Sequence, residues 1–146
     1  MATTIFTAKE HDPEKERRRR LKIVALLCLL VILAAVGYAF RNWRYEHRVD
    51  RFFILLEQKN YKQAYGLWTA DPDWELHPDQ HRNYTFDDFY QDWGPAGDWG
   101  VVRSHHIEGS VRVGSGVIVA VRVNGRVEPA RMWVERKDLS LTWSLR

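Results

Sequence analysis

The sequence predicts an α+β protein, with one membrane-spanning helix near the N-terminus followed by a domain of helices and then antiparallel strands. Three observations carry this prediction. Residues 23–40 form an eighteen-residue run without a charged side chain. Apolar residues then recur with a helical period as far as residue 93, and with the period of two that is typical of strands after residue 100. Helical segments followed by strand segments are typical of an α+β domain.

The uncharged run is long enough to cross a bilayer as a helix, because about 18 to 20 apolar residues span the hydrocarbon core. Four arginines at positions 17–20 and Lys22 precede it. The positive-inside rule therefore places residues 1–20 in the cytoplasm, as a disordered tail, and the domain of residues 44–146 outside the cell membrane. Residues 21–43 are the predicted contact with the lipid bilayer. A cleaved signal peptide is the alternative, because residues 37–39 offer small side chains to a peptidase.

Charge and cysteine content restrict the functions open to the domain. Of the 22 Lys and Arg and 19 Asp and Glu residues, seven basic and four acidic ones lie in residues 1–22. The rest of the chain is formally neutral, which argues against a nucleic-acid-binding surface. The single cysteine, Cys28, lies in the apolar run, so the domain has none for a disulfide or a thiolate site. In a Gram-negative cell the domain would be periplasmic.

Three amphipathic helices are predicted after the anchor. No Gly or Pro lies between residues 37 and 57, so the first is expected to continue directly from the membrane helix. Asn60 is the expected N-cap of the second helix. Thr85 and Asp88 resemble a capping box for the third helix. Residues 70–83, between the second and third helices, are predicted to form a loop. The predicted buried faces are Val49, Phe52, Phe53 and Leu56; Tyr61, Ala64, Tyr65 and Trp68; and Phe86, Phe89, Tyr90 and Trp93.

About four antiparallel strands are predicted after residue 100. Residues 101–113 supply one or two, and residues 117–123 alternate between valines and other side chains. Asn124-Gly125 is a strong hairpin signal, so a return strand is expected over about residues 127–136. A last strand is expected over residues 139–145, with Trp143 on its buried face.

The order of these elements resembles the nuclear-transport-factor-two-like superfamily, also known for its cystatin-like cone fold. The segments NYKQAYGLW and MWVERKDLSLTWSL carry the likeness, which covers about residues 44–146. It implies a cone-shaped domain of about three helices packed on a curved antiparallel sheet of about four strands. Some members are enzymes whose acid or base residues line the mouth of the cone.

Two residues near that mouth, Arg103 and His105, are predicted to bind a ligand. They are two apart on a predicted strand and are expected to share a face with Val101. A histidine beside a carboxylate can transfer protons near neutral pH, but no catalytic motif of the family maps onto the chain. The candidate carboxylates are Asp87, Asp88 and Asp92, of which the first two suit the first turn of a helix.

Loop tryptophans and histidines are the remaining candidates. Trp74 and Trp99 lie in loops near Gly or Pro and are predicted to be exposed or half-exposed, as parts of a ligand or partner surface. The histidines at 77 and 81 have the spacing of a helical metal-binding pair, but Pro78 and the polar setting indicate a loop. No metal site and no cofactor are predicted.

These observations predict a single-pass protein of the cell envelope with a non-catalytic, extracytoplasmic domain. Its expected partner is another envelope protein or a second copy of itself, bound through the sheet or the mouth of the cone. The alternative is a binder of small apolar ligands or an isomerase-like enzyme. That alternative predicts an open cavity lined by Trp and Val, with His105 or an aspartate at its floor.

Overall fold

The computed structural model describes residues 13–144 and divides the chain into two units, residues 1–39 and residues 40–146. The first unit contains the helix α1, Pro13–Ala39. An eighteen-residue window in this part of the chain has a mean hydropathy of 2.9 and is not buried. By length and composition this helix can cross a membrane, as predicted, and a signal sequence would show the same feature.

The start of α1 differs from the expected tail. Residues 13–20 are helical, and residues 1–12 lie outside the described part of the chain. Pro13 is tolerated in the first turn because the N–H that it lacks would have no partner within the helix. Glu16 and Arg20 form an ion pair one turn apart, at 3.2 Å.

The second unit opens with a 3₁₀ turn, Phe40–Asn42, and continues with α2 (Trp43–Glu57), α3 (Tyr61–Thr69) and α4 (Phe86–Trp93). The helix caps follow the prediction. The Asn60 side chain accepts from the backbone N–H of Gln63, and Thr85 forms the capping box with Asp88. The loop between α3 and α4 contains two further 3₁₀ turns, Trp74–Leu76 and Pro78–His81.

The described residues form one antiparallel sheet of four strands in the order β1-β2-β3-β4. The strands are β1 (His105–Val113), β2 (Gly116–Val123), β3 (Ala130–Glu135) and β4 (Leu141–Trp143). A bulge interrupts the pairing of β1 with β2 between Ile107 and Gly109. The α+β class and the antiparallel meander are therefore confirmed.

The hairpin between β2 and β3 is longer than predicted. Asn124 and Gly125 form the two-residue turn, with positive φ at both positions and a 3.0 Å hydrogen bond from the N–H of Arg126 to the carbonyl of Val123. Strand pairing nevertheless resumes only at Ala130, because Pro129 has no N–H to donate to a ladder. The expected strand start near residue 127 is wrong by three residues.

The core lies between the sheet and the three helices of the second unit. Val117, Val119, Val121 and Val123 are fully buried on one face of β2. The helices pack aromatic rings against this face. The rings of Trp93 and Trp143 stack with their centroids 4.5 Å apart, and Phe52 meets Trp93 edge-on at 5.1 Å. Side chains of the domain itself thus occupy the space beneath the sheet.

Nine of the twelve predicted core positions on the helices are buried, whereas Tyr61 and Phe86 are half-buried, and Tyr90 on α4 and Trp143 on β4 are more exposed than predicted. Tyr90 is 44% exposed and packs edge-on against Tyr61 on the outer side of the helices. Trp143 is 36% exposed, because β4 is a three-residue edge strand that leaves part of the ring uncovered.

Candidate functional site

The four residues predicted to bind a ligand contact different sets of neighbours. Arg103 is exposed in the segment before β1, and its backbone N–H donates to the side chain of Asn124 at 2.8 Å. The prediction that Arg103 shares a face with His105 and Val101 is wrong. Val102 is the buried residue of this segment, at 2% exposure, and regular pairing begins only at His105.

His105 lies between two carboxylates of α2. Its Nδ1 is 2.6 Å from Glu57 Oε1, and its Nε2 is 3.0 Å from Asp50 Oδ1. The imidazole is 9% exposed and stacks on Phe53 at 5.5 Å. When the ring is protonated, both N–H groups donate, so this arrangement ties α2 to β1. We call these three residues the His105 clasp.

The clasp argues against a proton-transfer role for His105. A general acid or base must have a nitrogen within hydrogen-bond reach of the substrate. Here each ring nitrogen is engaged by a carboxylate of α2, and neither carboxylate was among the predicted partners. Two of the predicted aspartates have other contacts: Asp88 belongs to the capping box of α4, and Asp92 accepts from the Tyr84 hydroxyl at 2.8 Å.

Trp74 borders a surface cleft of about 400 Å³ between α3, the following loop and the start of α4. Its ring stacks on Phe86 at 5.1 Å, and its Nε1 donates to the carbonyl of Lys62. Near this cleft, His77 and His81 each place a ring nitrogen 2.9 Å from Asp71 Oδ2. These contacts, that of His81 first, hold the pKa of Asp71 below its ordinary value.

The histidine contacts fix the loop between α3 and α4. Among residues 13–144, no group of three or more His, Cys, Asp or Glu side chains could hold a metal ion. His77 and His81 both point at one carboxylate oxygen, which ties the two 3₁₀ turns to the end of α3.

Trp99 is half-buried, as predicted, in the loop after α4. The guanidinium of Arg126 lies 5.0 Å above its ring, and Trp143 stacks beside it at 6.5 Å. The amide of Asn124 donates to the carbonyls of Trp99 and Val101. Trp99 therefore closes one end of the core and is covered on one face by a basic side chain.

The sheet surface that faces away from α2–α4 is apolar at its centre, a feature that sequence reasoning missed. Val111 pairs with Ile118, which pairs with Trp133 in turn. Val111 is 56% exposed and its neighbour Val113 is 42% exposed, while Ile118 and Trp133 are half-buried. We call Val111, Val113, Ile118 and Trp133 the outer sheet face.

Charged side chains border this face on β3. Arg131 and Glu135 lie two residues before and two residues after Trp133, so all three side chains project from the same side. The indole of Trp133 lies against Gly116, so close that a Cβ there would collide with it. The result is an apolar band with a positive group at one end and a negative group at the other.

No family model matches the chain, and no curated protein or solved structure is significantly similar to it. The resemblance to the nuclear-transport-factor-two-like superfamily therefore stays a prediction.

Proposed function

We propose that this chain is a single-pass protein of the cell envelope whose extracytoplasmic, cone-shaped domain has a non-catalytic assembly role. The partner that binds the outer sheet face is a second copy of the chain. The observation that supports this proposal is the exposed apolar band itself, with Val111 at 56% and Val113 at 42% exposure. Contiguous apolar patches on a protein surface commonly mark interaction sites.

The charges at the ends of the band favour a second copy over other partners. Two such faces can pack about a two-fold axis that lies between the sheets, perpendicular to the strands and level with Trp133. Each strand then lies over the same strand of the second copy and runs antiparallel to it. Arg131 of one copy then lies opposite Glu135 of the second copy, and the ion pair occurs twice. A single face thus carries both halves of a complementary interface.

Cysteine crosslinking in the native membrane tests this arrangement. A Val111→Cys variant, in a Cys28→Ser background, places a thiol near the two-fold axis, where its counterpart faces it. A short bismaleimide spans the gap, because stacked sheets lie about 10 Å apart. The matched control is Val127→Cys, which is 88% exposed but lies in the β2–β3 loop. We expect a crosslinked dimer at position 111 and monomer at position 127.

A charge exchange gives the second test. Arg131→Glu places like charges opposite each other and should lower the dimer fraction in a membrane FRET assay. Combining it with Glu135→Arg restores opposite charges and should recover dimerisation. Monomer alone at position 111, capture of only a different protein there, or a double variant no better than Arg131→Glu would each contradict the proposal.

The proposed orientation is tested with the same Val127→Cys variant. A membrane-impermeant maleimide added to intact cells should label it, because the domain is proposed to lie outside the cytoplasmic membrane. In a Gram-negative cell the outer membrane is first made permeable. Labelling only after the inner membrane is lysed would place the domain in the cytoplasm instead.

A further inference from the structure

A second cleft, of about 470 Å³, lies between α2, α3 and the β3–β4 turn, in a different part of the domain from the outer sheet face. Two arginines of α2 contribute to it, Arg48 and Arg51, one turn apart on the same side of the helix. Its apolar wall comes from Leu55, Leu67 and Pro72, and Asp138 lies at its border. We call it the arginine cleft.

Arg48 is held in a fixed position in this cleft. Its Nε donates to the carbonyl of Leu139 at 3.1 Å, and its Nη2 donates to the carbonyl of Leu67 at 3.0 Å. These two bonds use only part of the five N–H donors of a guanidinium. Arg48 is therefore a half-buried cation with a defined orientation.

The charges in the cleft are poorly balanced. Across residues 13–144, neither Arg48 nor Arg51 has a carboxylate oxygen within 4.0 Å. Burial, and then the charge of Arg51, lower the pKa of Arg48, while Asp138 acts in the opposite direction. Arginine nevertheless stays protonated in proteins, so two cations lie side by side. An anion between them would relieve the repulsion and use the remaining donors.

We propose that the arginine cleft binds a small amphipathic anion, with its phosphate or carboxylate head between Arg48 and Arg51 and its apolar body against Leu55, Leu67 and Pro72. The volume is within the range of ligand pockets, about 300–1,000 Å³. The head group can come from a free anion or from an anionic lipid. Both sources present the same chemistry to the guanidinium groups.

A substitution at Asp138 is expected to increase the affinity of the cleft for an anion, and this gives a further test of the proposal. Its carboxylate accepts from the backbone N–H and the hydroxyl of Ser140, at 2.9 and 2.7 Å, and these bonds lower its pKa. It is therefore a fixed negative charge beside the anion site. Neutralising it with Asp138→Asn should strengthen anion binding, whereas a loss of local structure would weaken it.

The experiment is isothermal titration calorimetry of the full chain in a neutral detergent. Hexyl phosphate is the probe, hexanol is the neutral analogue, and inorganic phosphate lacks the apolar tail. Arg51→Gln should weaken hexyl phosphate binding about tenfold, the loss expected for one hydrogen bond between charged groups. Arg51 is exposed, so this variant should fold. Arg44→Gln, an exposed arginine of α2 outside the cleft, is the matched control and should bind as the unaltered chain does.

A further arm separates the two sources of the anion. In nanodiscs, phosphatidic acid in place of phosphatidylcholine should compete with hexyl phosphate if a lipid head group occupies the cleft, and should not compete if a free anion does. Binding of hexyl phosphate but not hexanol, weakened by Arg51→Gln and strengthened by Asp138→Asn, supports the proposal. No binding of hexyl phosphate, or equal binding by the Arg51→Gln and Arg44→Gln variants, overturns it.

Discussion

When the imidazole is protonated, replacing His105 with phenylalanine should destabilise the domain by about 2 kcal/mol, because it then removes both hydrogen bonds of the His105 clasp. Phenylalanine keeps a ring over Phe53, where the imidazole stacks at 5.5 Å. The substitution therefore removes the polar contacts and leaves most of the packing in place. It also leaves Asp50 and Glu57 without their shared partner.

The magnitude follows from the exposure of the two carboxylates. Glu57 is 29% exposed and its contact with His105 is 2.6 Å, so about 1.5 kcal/mol is expected for a charge-assisted bond in this setting. Asp50 is 39% exposed and its contact is 3.0 Å. Solvent screens that pair more strongly, and about 0.5 kcal/mol is expected from it.

Urea unfolding of the full chain in a neutral detergent, followed by tryptophan fluorescence, measures the effect. In a thermal scan the same loss lowers Tm by roughly 10 °C for a domain of about 100 residues. His106→Phe is the matched control, since His106 is exposed on the opposite face of β1. In a double-mutant cycle, His105→Phe and Glu57→Gln should couple by about 1 kcal/mol. If His105→Phe costs no more than His106→Phe, the clasp does not stabilise the domain.

Four further predictions concern caps, pH and core. Thr85→Ala should cost about 1 kcal/mol in the same unfolding assay, because it removes the N-cap of α4. Hydrogen bonds from Thr85 lower the pKa of Asp88, so the stabilisation by this carboxylate is present above about pH 4 and lost in acid as it protonates. Burial, and then the bond to Asp92, raise the pKa of Tyr84. The free energy of unfolding should therefore fall above about pH 10, where only the unfolded chain loses this proton. In the Tyr84→Phe variant, which lacks this proton, the free energy of unfolding should fall less over the same pH range. Phe52→Ala should cost about 3–5 kcal/mol by urea titration, because the ring is fully buried.

The features that the sequence predicted well depend on residues close together in the chain. The caps at Asn60 and Thr85 need only three or four consecutive positions, and both formed as expected. The buried face of α2 follows directly from its apolar spacing. The inner face of β2 follows from strict alternation over residues 117–123. In each case the local pattern and the tertiary packing favour the same structure.

The features that the sequence did not predict arise from contacts between distant segments. His105 meets carboxylates 48 and 55 residues earlier, and no spacing rule relates positions that far apart. The outer sheet face depends on the bulge near Gly109, which reverses the side to which later residues of β1 point. Ser110 and Arg112 consequently face α2 and the preceding turn, where they contact Glu46 and Asn42, and the valines between and after them face outward. An isolated glycine in a strand was the one available signal.

The packing beneath the sheet bears on the enzymatic alternative. An isomerase-like site or an apolar-ligand site needs an open interior, whereas Trp93 is fully buried with the rings of Phe52, Phe53, Trp68 and Trp143 at 4.5–5.9 Å. Neither of the two clefts described above is lined by His105.

A catalytic role would also require reactive groups that are free to act. The histidine and carboxylates nearest the predicted mouth of the cone instead hold α2 against β1. An enzyme of this kind would have to open both its core and its clasp before turnover, at the cost of contacts that stabilise the fold. The outer sheet face and the arginine cleft need no such rearrangement to engage a partner or a ligand, because both are already at the surface. This packing therefore favours binding at the surface of the domain over chemistry in its interior.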